Sequence, residues 1–217
     1  MLTFKTGKTP GNDGLPYEFY RTFWEVIIDP LFECYEEAIR IGQLSSSQMQ
    51  AVVTLIEKKG KDRSLIKNWR PISLLNFDYK LLSKTISRRV QDVLPVLVHK
   101  NQTGFIKGRY IGDSIRVLQD IMEYTLANNL GGLLLFVDFE KAFDSIEWQF
   151  IWKALHRYNF GNYLINVIKL LYNNPESCIM NQGFSTHYFK LHRGVRQGDP
   201  LSPYLFILAV ELLAVKL

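Results

Sequence analysis

The sequence predicts a mixed α+β fold, on three observations. Long stretches carry apolar residues at helical spacing, as in Phe19, Phe23, Ile27, Leu31, Tyr35 and Ile39. Short apolar runs, Gln50 to Glu57 and Leu133 to Val137, are too brief for helices and read as strands. Clusters of Gly, Pro, Asn and Asp separate the two kinds of segment.

Taken in order, residues 5 to 16 (KTGKTPGNDGLP) form a turn-rich loop, and a helix is expected from Tyr17. Pro30 is expected to kink or divide that helix, and Gly42 to end it in a left-handed conformation. Residues 50–57 make a strand, the basic stretch after them a hairpin loop, and Arg70 to Leu75 the return strand. Residues 78–93 make an amphipathic helix with Tyr79, Leu82, Ile86, Val90 and Val93 on one face, broken by Pro95. A glycine-punctuated loop, residues 102–110, precedes a helix over 112–128. The run Leu133 to Val137, opened by Gly131-Gly132, is expected as a fully buried strand that delivers Asp138 to the edge of a cleft. Asp144 and Glu147 have capping-box spacing for a helix over 146–158. A further helix spans 162–172, and strands 177–181 and 188–191 bracket a turn at Gln182-Gly183. Residues 194–203 (GVRQGDPLSP) form a loop, and a largely apolar helix carries the chain to Leu217.

Composition narrows the class. With 47% hydrophobic and 13% aromatic residues the chain is globular rather than disordered. The net charge is +5, and the basic residues are grouped: Lys58, Lys59, Lys61, Arg63, Lys67 and Arg70, with Lys80, Lys84, Arg88 and Arg89 soon after, then Lys190, Arg193 and Arg196. Such grouping suits a phosphate-rich partner, or else a solvated loop. Cys34 and Cys178 have no metal-ligand spacing. The N-terminus lacks the apolar core of a secretory signal, and Leu201–Leu217 is short and interrupted by Glu211. The expectation is an intracellular protein with no membrane partner.

Five blocks then come in one order: TPGNDGLPYEFY, NWRPISLLNFDYKLLSK, QTGFIKGRYIGDSI, FVDFEKAFDSIEW and RGVRQGDPLSPYLF. Together they resemble the reverse transcriptase domain of non-LTR (LINE-type) retrotransposons over nearly the whole chain. The resemblance implies a right-hand polymerase: a fingers region over residues 1–130, a partial palm over 131–217, and no thumb. It implies an RNA template, a DNA primer and a dNTP as partners, Mg²⁺ or Mn²⁺ as cofactor, and passage through cytoplasm and nucleus.

The resemblance also assigns residues. Asp138 would be the first catalytic aspartate and a metal ligand, joined by the backbone carbonyl of Phe139. Hard carboxylate and carbonyl oxygens are what Mg²⁺ takes. Phe143 falls at the sugar-sensing position, where a ring crowds a ribose 2′-OH; its other job would be core packing. Arg70 would bind the triphosphate, for which a planar fork of donors is suited. Lys58 or Lys61 would assist, Lys61 at the nucleotide and Lys58 along the nucleic acid, although spacing does not choose between them. Gln197 and Gly198 would contact the incoming nucleotide, with Arg193, Arg196 and Lys8 on nucleic acid.

One part of the pattern is missing. The family carries an Asp-Asp hairpin a few dozen residues beyond GVRQGDPLSP, and no adjacent Asp-Asp pair occurs in the 217 residues. The sequence therefore leaves three readings: a polymerase of which this is the first part, a noncatalytic nucleic-acid-binding remnant, or a host protein retaining the fold. Without that hairpin the Asp138 strand is expected to expose an edge and the isolated product to be poorly soluble.

Overall fold

The computed structural model describes residues 4–214. The two N-terminal helices are α1, Tyr17–Thr22, and α2, Trp24–Ile41. Their division falls at Phe23 (φ −102°, ψ 22°) and not at Pro30, which lies inside α2. Pro30 forfeits only the bond to the Val26 carbonyl, and Val26 is 75% exposed, so water can take its place. Gly42 ends α2 as expected, at φ +76° with its N–H on the Ala38 carbonyl. One turn, α3 (Ser46–Met49), opens with a Ser45/Gln48 capping box and runs straight into the sheet.

Strand β1, Gln50–Glu57, and β2, Trp69–Leu75, pair antiparallel from Ala51↔Leu75 to Glu57↔Trp69, so the basic hairpin forms as expected. Helix α4 then runs over Phe77–Leu97. Pro95 falls in its last turn and does not break it. The buried face steps by fours through Ile86, Val90 and Leu94, so Leu94 takes the core position expected of Val93, which is 41% exposed. Past the end of α4, Arg109 donates to the carbonyls of Pro95, Val98, His99 and Gln102. The buried Glu211 carboxylate accepts the His99 N–H at 2.8 Å. Orphaned groups at a helix terminus need such partners.

Helix α5, Ile111–Ala127, follows, with none of its residues buried. The run Leu133 to Val137 is then no strand. Residues 130–139 have no regular structure, and Leu133, Leu135, Phe136 and Val137 are 68–94% exposed. An apolar run becomes a strand only when another strand satisfies its N–H and C=O groups, and among the described residues none pairs with it.

Helices α6 (Ala142–Ser145), α7 (Trp148–Arg157) and α8 (Asn162–Leu170) come next. The Asp144/Glu147 capping box does not form: Glu147 itself precedes α7, without a side-chain cap bond, and Asp144 lies within α6. Strand β3, Glu176–Asn181, pairs parallel with β1 from Gln50↔Glu176 to Thr54↔Met180. Short strands β4 (Phe184–Ser185) and β5 (Phe189–Lys190) pair antiparallel with β3. Gln182 and Gly183, at φ +50° and +85°, make the expected turn. The sheet order is β2-β1-β3-β4, with β5 also on β3.

The last described helix, α9, spans Ser202–Ala214; its expected continuation to Leu217 lies outside the described residues. The main core gathers Tyr79 and Leu94 of α4, Leu155 of α7, Ile168 of α8, and Leu205 and Leu208 of α9. A second, smaller core joins Tyr20, Phe77 and Leu81, with Phe4 and Tyr17 against them. Among the described residues no helix is long and apolar enough to cross a membrane.

Candidate functional site

Three of the five blocks converge on the loop over residues 191–201. Gly194 N–H donates to the Ile146 carbonyl at 2.8 Å and Val195 N–H to the Phe143 carbonyl at 2.7 Å. Trp148 Nε1 donates back to the Gly194 carbonyl at 2.7 Å. Gly194 has φ +86°, and a Cβ there would meet the Phe143 and Asp144 carbonyl oxygens at 3.0 Å. A side chain would therefore push the loop off the Asp138 block. Three residues on, Ser73 N–H donates to the Gln197 carbonyl at 2.9 Å. Gly198, at φ +111°, comes so close to β2 that a Cβ would lie 2.7 Å from the Ser73 carbonyl oxygen. The loop thus covers the open edge of β2.

These bonds enclose a cleft of about 400 Å³, lined by Pro71, Ser73, Asp144, His192, Arg193 and Gln197. Arg193 and Asp144 are exposed and Gln197 half-buried. Beside the cleft, Phe139 and Phe143 both set their rings edge-on to Phe206 of α9, at 6.2 and 5.2 Å between centroids. Phe143 is half-buried against the core, so core packing is one of its jobs. Asp138, next to Phe139, is exposed. Among the described residues no group of three or more His, Cys, Asp and Glu side chains could hold a metal ion. The donor set at Asp138 and Phe139, one carboxylate and one carbonyl, does not by itself make a two-ion site.

Arg196 corrects an expectation. Expected at a nucleic-acid surface, it is 4% exposed and turned inward. Its Nη2 donates to the Met49 carbonyl and, at 3.5 Å, to that of Glu176, while the guanidinium lies 5.3 Å from the Tyr79 ring centre. Arg196 therefore ties the loop to the starts of β1 and β3. Beside it the buried Asp199 carboxylate accepts from Ser83, from Ser202 Oγ at 3.1 Å and from Leu201 N–H at 3.4 Å. Burial still pushes the Asp199 carboxyl above its ordinary range, against those donors and the Arg196 charge.

The fingers cations lie elsewhere. Strand alternation puts Arg70, paired with Ile56, on the sheet face opposite Pro71 and Ser73. Arg70 and Lys61 are exposed. Lys58 Nζ donates to the Lys67 carbonyl at 2.9 Å, closing the hairpin base. None of the three lines the cleft.

The first block is pressed onto the second. At Gly11 a Cβ would fall 2.0 Å from Asn76 Oδ1, so only glycine lets the chain pass. Asn76 Oδ1 also accepts the Asp13 N–H at 3.4 Å, and its Nδ2 donates to the Ser47 carbonyl at 3.0 Å. Lys8 and Lys80 share a notch with Gly198 beside this junction. Sequence reasoning missed Asn76, Arg109 and Asp199, and counted Lys80 only as one of the grouped basic residues. An Asn before a helix reads as an N-cap, but Asn76 makes no such bond and bridges the loop at Asp13 to α3 instead.

Residues 56–216 match the family described as reverse transcriptase (RNA-dependent DNA polymerase). The chain is 38% identical over 204 residues to the Transposon TX1 uncharacterized 149 kDa protein of Xenopus laevis, covering 94% of this chain and 16% of that protein. It is 27% identical over 219 residues to the putative 115 kDa protein in type-1 retrotransposable element R1DM of Drosophila melanogaster (100% and 21%). It is 31% identical over 158 residues to the Retrovirus-related Pol polyprotein from type-1 retrotransposable element R2 of Popillia japonica (70% and 21%). The chain thus spans about a fifth, or less, of the length of these curated relatives.

Proposed function

The chain belongs to the reverse transcriptase family and is related to non-LTR retrotransposon polyproteins, and from that premise we propose that it is the fingers and first half of the palm of a LINE-type RNA-directed DNA polymerase. The observation that carries the proposal is the bracing of the 191–201 loop. Val195 holds the Asp138 block through the Phe143 carbonyl, and Gln197 holds the edge of β2 through Ser73. A nucleotide seated against Gln197 would then lie between the fingers sheet and the segment bearing Asp138.

In this reading Asp138 and the Phe139 carbonyl hold the first metal-facing position. Divalent ions there would supply charge neutralisation for phosphoryl transfer. The chain's own residues do the positioning. Gln197 and Gly198 offer backbone and amide to the nucleotide, Phe143 walls the sugar, and Arg193 on the cleft rim meets nucleic-acid phosphate. Arg70 and Lys61 reach the triphosphate only if the hairpin swings toward the cleft, since Arg70 sits on the opposite sheet face. The remaining carboxylates would come from the Asp-Asp hairpin, whose strands would pair with Leu133 to Val137 and complete the palm.

The 217 residues alone are therefore expected not to polymerise, and to act at most as a nucleic-acid-binding unit. The exposure of Leu133 to Val137 favours that second reading for the isolated chain. Primer extension on an RNA template with Mg²⁺ tests both. We expect no product from the 217-residue chain, and product from a chain continued through an Asp-Asp hairpin that disappears on Asp138→Ala. Robust extension by the 217 residues alone would overturn the division of labour. Full activity of the continued chain carrying Asp138→Ala would overturn the assignment of the site.

A further inference from the structure

Lys80 belongs to the second block and to the grouped basic residues, without an assigned role of its own, and its placement is unusual. It closes the first turn of α4, half-buried, and lines a notch of about 210 Å³ whose apolar lining includes Leu75, Phe77 and Pro200. The notch also takes Lys8, which immediately precedes the first block, and Gly198 from the 191–201 loop. Among the described residues the salt bridges are Arg40–Glu37 and Arg63–Glu57, so no carboxylate is in direct contact with Lys80. The acids that act on it, Asp13 and the buried Asp199, lie beyond salt-bridge range. Burial holds the ammonium below the ordinary lysine value in spite of both. A half-buried cation with no carboxylate in contact is costly, and an anion seated against it offsets that cost.

The notch and the cleft stand back to back. Gly198 lines the one and Gln197 the other, so a single peptide separates them. A volume of about 210 Å³ is below the roughly 300 Å³ at which pockets begin to hold a whole small molecule. It has room for a phosphodiester group. We propose that the Lys80 notch, with Lys8 at its rim, seats one backbone phosphate of the nucleic-acid strand that passes Gly198 on its way to the cleft. The site rests on the polymerase reading above and adds to it a fixed point for the strand. A nucleotide's own phosphates are the other source of the same chemistry. The size of the notch and its separation from the cleft by the Gln197–Gly198 peptide favour the strand.

The test is binding of a single-stranded RNA 12-mer to the full chain across a salt series, with a deoxynucleoside triphosphate as the second probe. Lys80→Met keeps the apolar stem and removes the charge. It should weaken RNA binding about three- to tenfold at low salt and reduce the salt slope by about 0.7, the share of one single-strand phosphate contact. Lys80→Arg should restore the slope, and Lys153→Met, which removes an exposed lysine of α7, should leave it unchanged. Equal slopes for the wild type and Lys80→Met would overturn the notch while leaving the polymerase reading intact. A loss equal to that from Lys153→Met, or a loss confined to the triphosphate, would overturn it as well. Absence of salt-dependent RNA binding by the wild type would remove the polymerase reading and the notch together.

Discussion

The 191–201 loop and the 129–140 segment are held in opposite ways. The loop has no regular structure, yet backbone bonds tie it to Phe143, Ile146 and Ser73, and Arg196 anchors it from within. The 129–140 segment is strongly apolar over Leu133 to Val137 and stays exposed without a strand partner. Order in this part of the molecule follows from satisfied backbone groups and not from hydrophobicity. A loop whose N–H and C=O groups find partners is fixed, and an apolar run whose groups do not is left open.

The largest expected effect comes from removing the anchor. Arg196→Ala should cost about 3 kcal/mol or more in urea denaturation, because it frees the Met49 and Glu176 carbonyls and opens a cavity beside Tyr79. A loss below about 0.5 kcal/mol, typical of surface changes, would show the loop to be held by its backbone bonds alone. Next comes Gly198→Ala, which meets both a positive φ and the Ser73 carbonyl. About 1–3 kcal/mol of lost stability is expected, together with faster hydrogen exchange at the Ser73 amide.

Asp199 sharpens the comparison through pH. Its folded pKa is raised, so the folded state binds the proton more tightly than the unfolded chain does. Its effect is neutral below the unfolded value of about 4, and stability is lost as pH rises from there through the folded value. Asp199→Asn should therefore gain stability relative to the wild type between pH 4 and pH 7. Denaturation midpoints for the pair that run parallel over this range would contradict it.

The smallest stability effect belongs to the open segment. Leu135→Lys should change stability by no more than about 0.5 kcal/mol, since Leu135 is 77% exposed, while raising solubility. The amides of 133–137 should exchange freely in the 217-residue chain and become protected once an Asp-Asp hairpin is joined to it. Protection without the hairpin would erase the contrast between the two regions.

Much of the architecture was legible in the residues. Helical periodicity placed α2, α4, α5, α7 and α8, the left-handed glycine placed the end of α2, and the basic hairpin fell within a residue of its observed pairing. These are local matters, decided by spacing and backbone preference over a few residues. The family could be read too, because five blocks in order are a sequence property. Tertiary structure decided the rest. The parallel pairing of β1 with β3 joins residues more than a hundred positions apart. Arg196 looks like any cation in a basic loop until Met49, Tyr79 and Glu176 surround it. Asn76 reads as a helix cap until Gly11 is pressed against it. The run at Leu133 carries the pattern of a buried strand, but pattern states only what a segment can pair with or be buried under. Whether a strand forms depends on a second chain segment at 4.7–4.9 Å, which lies outside any local window.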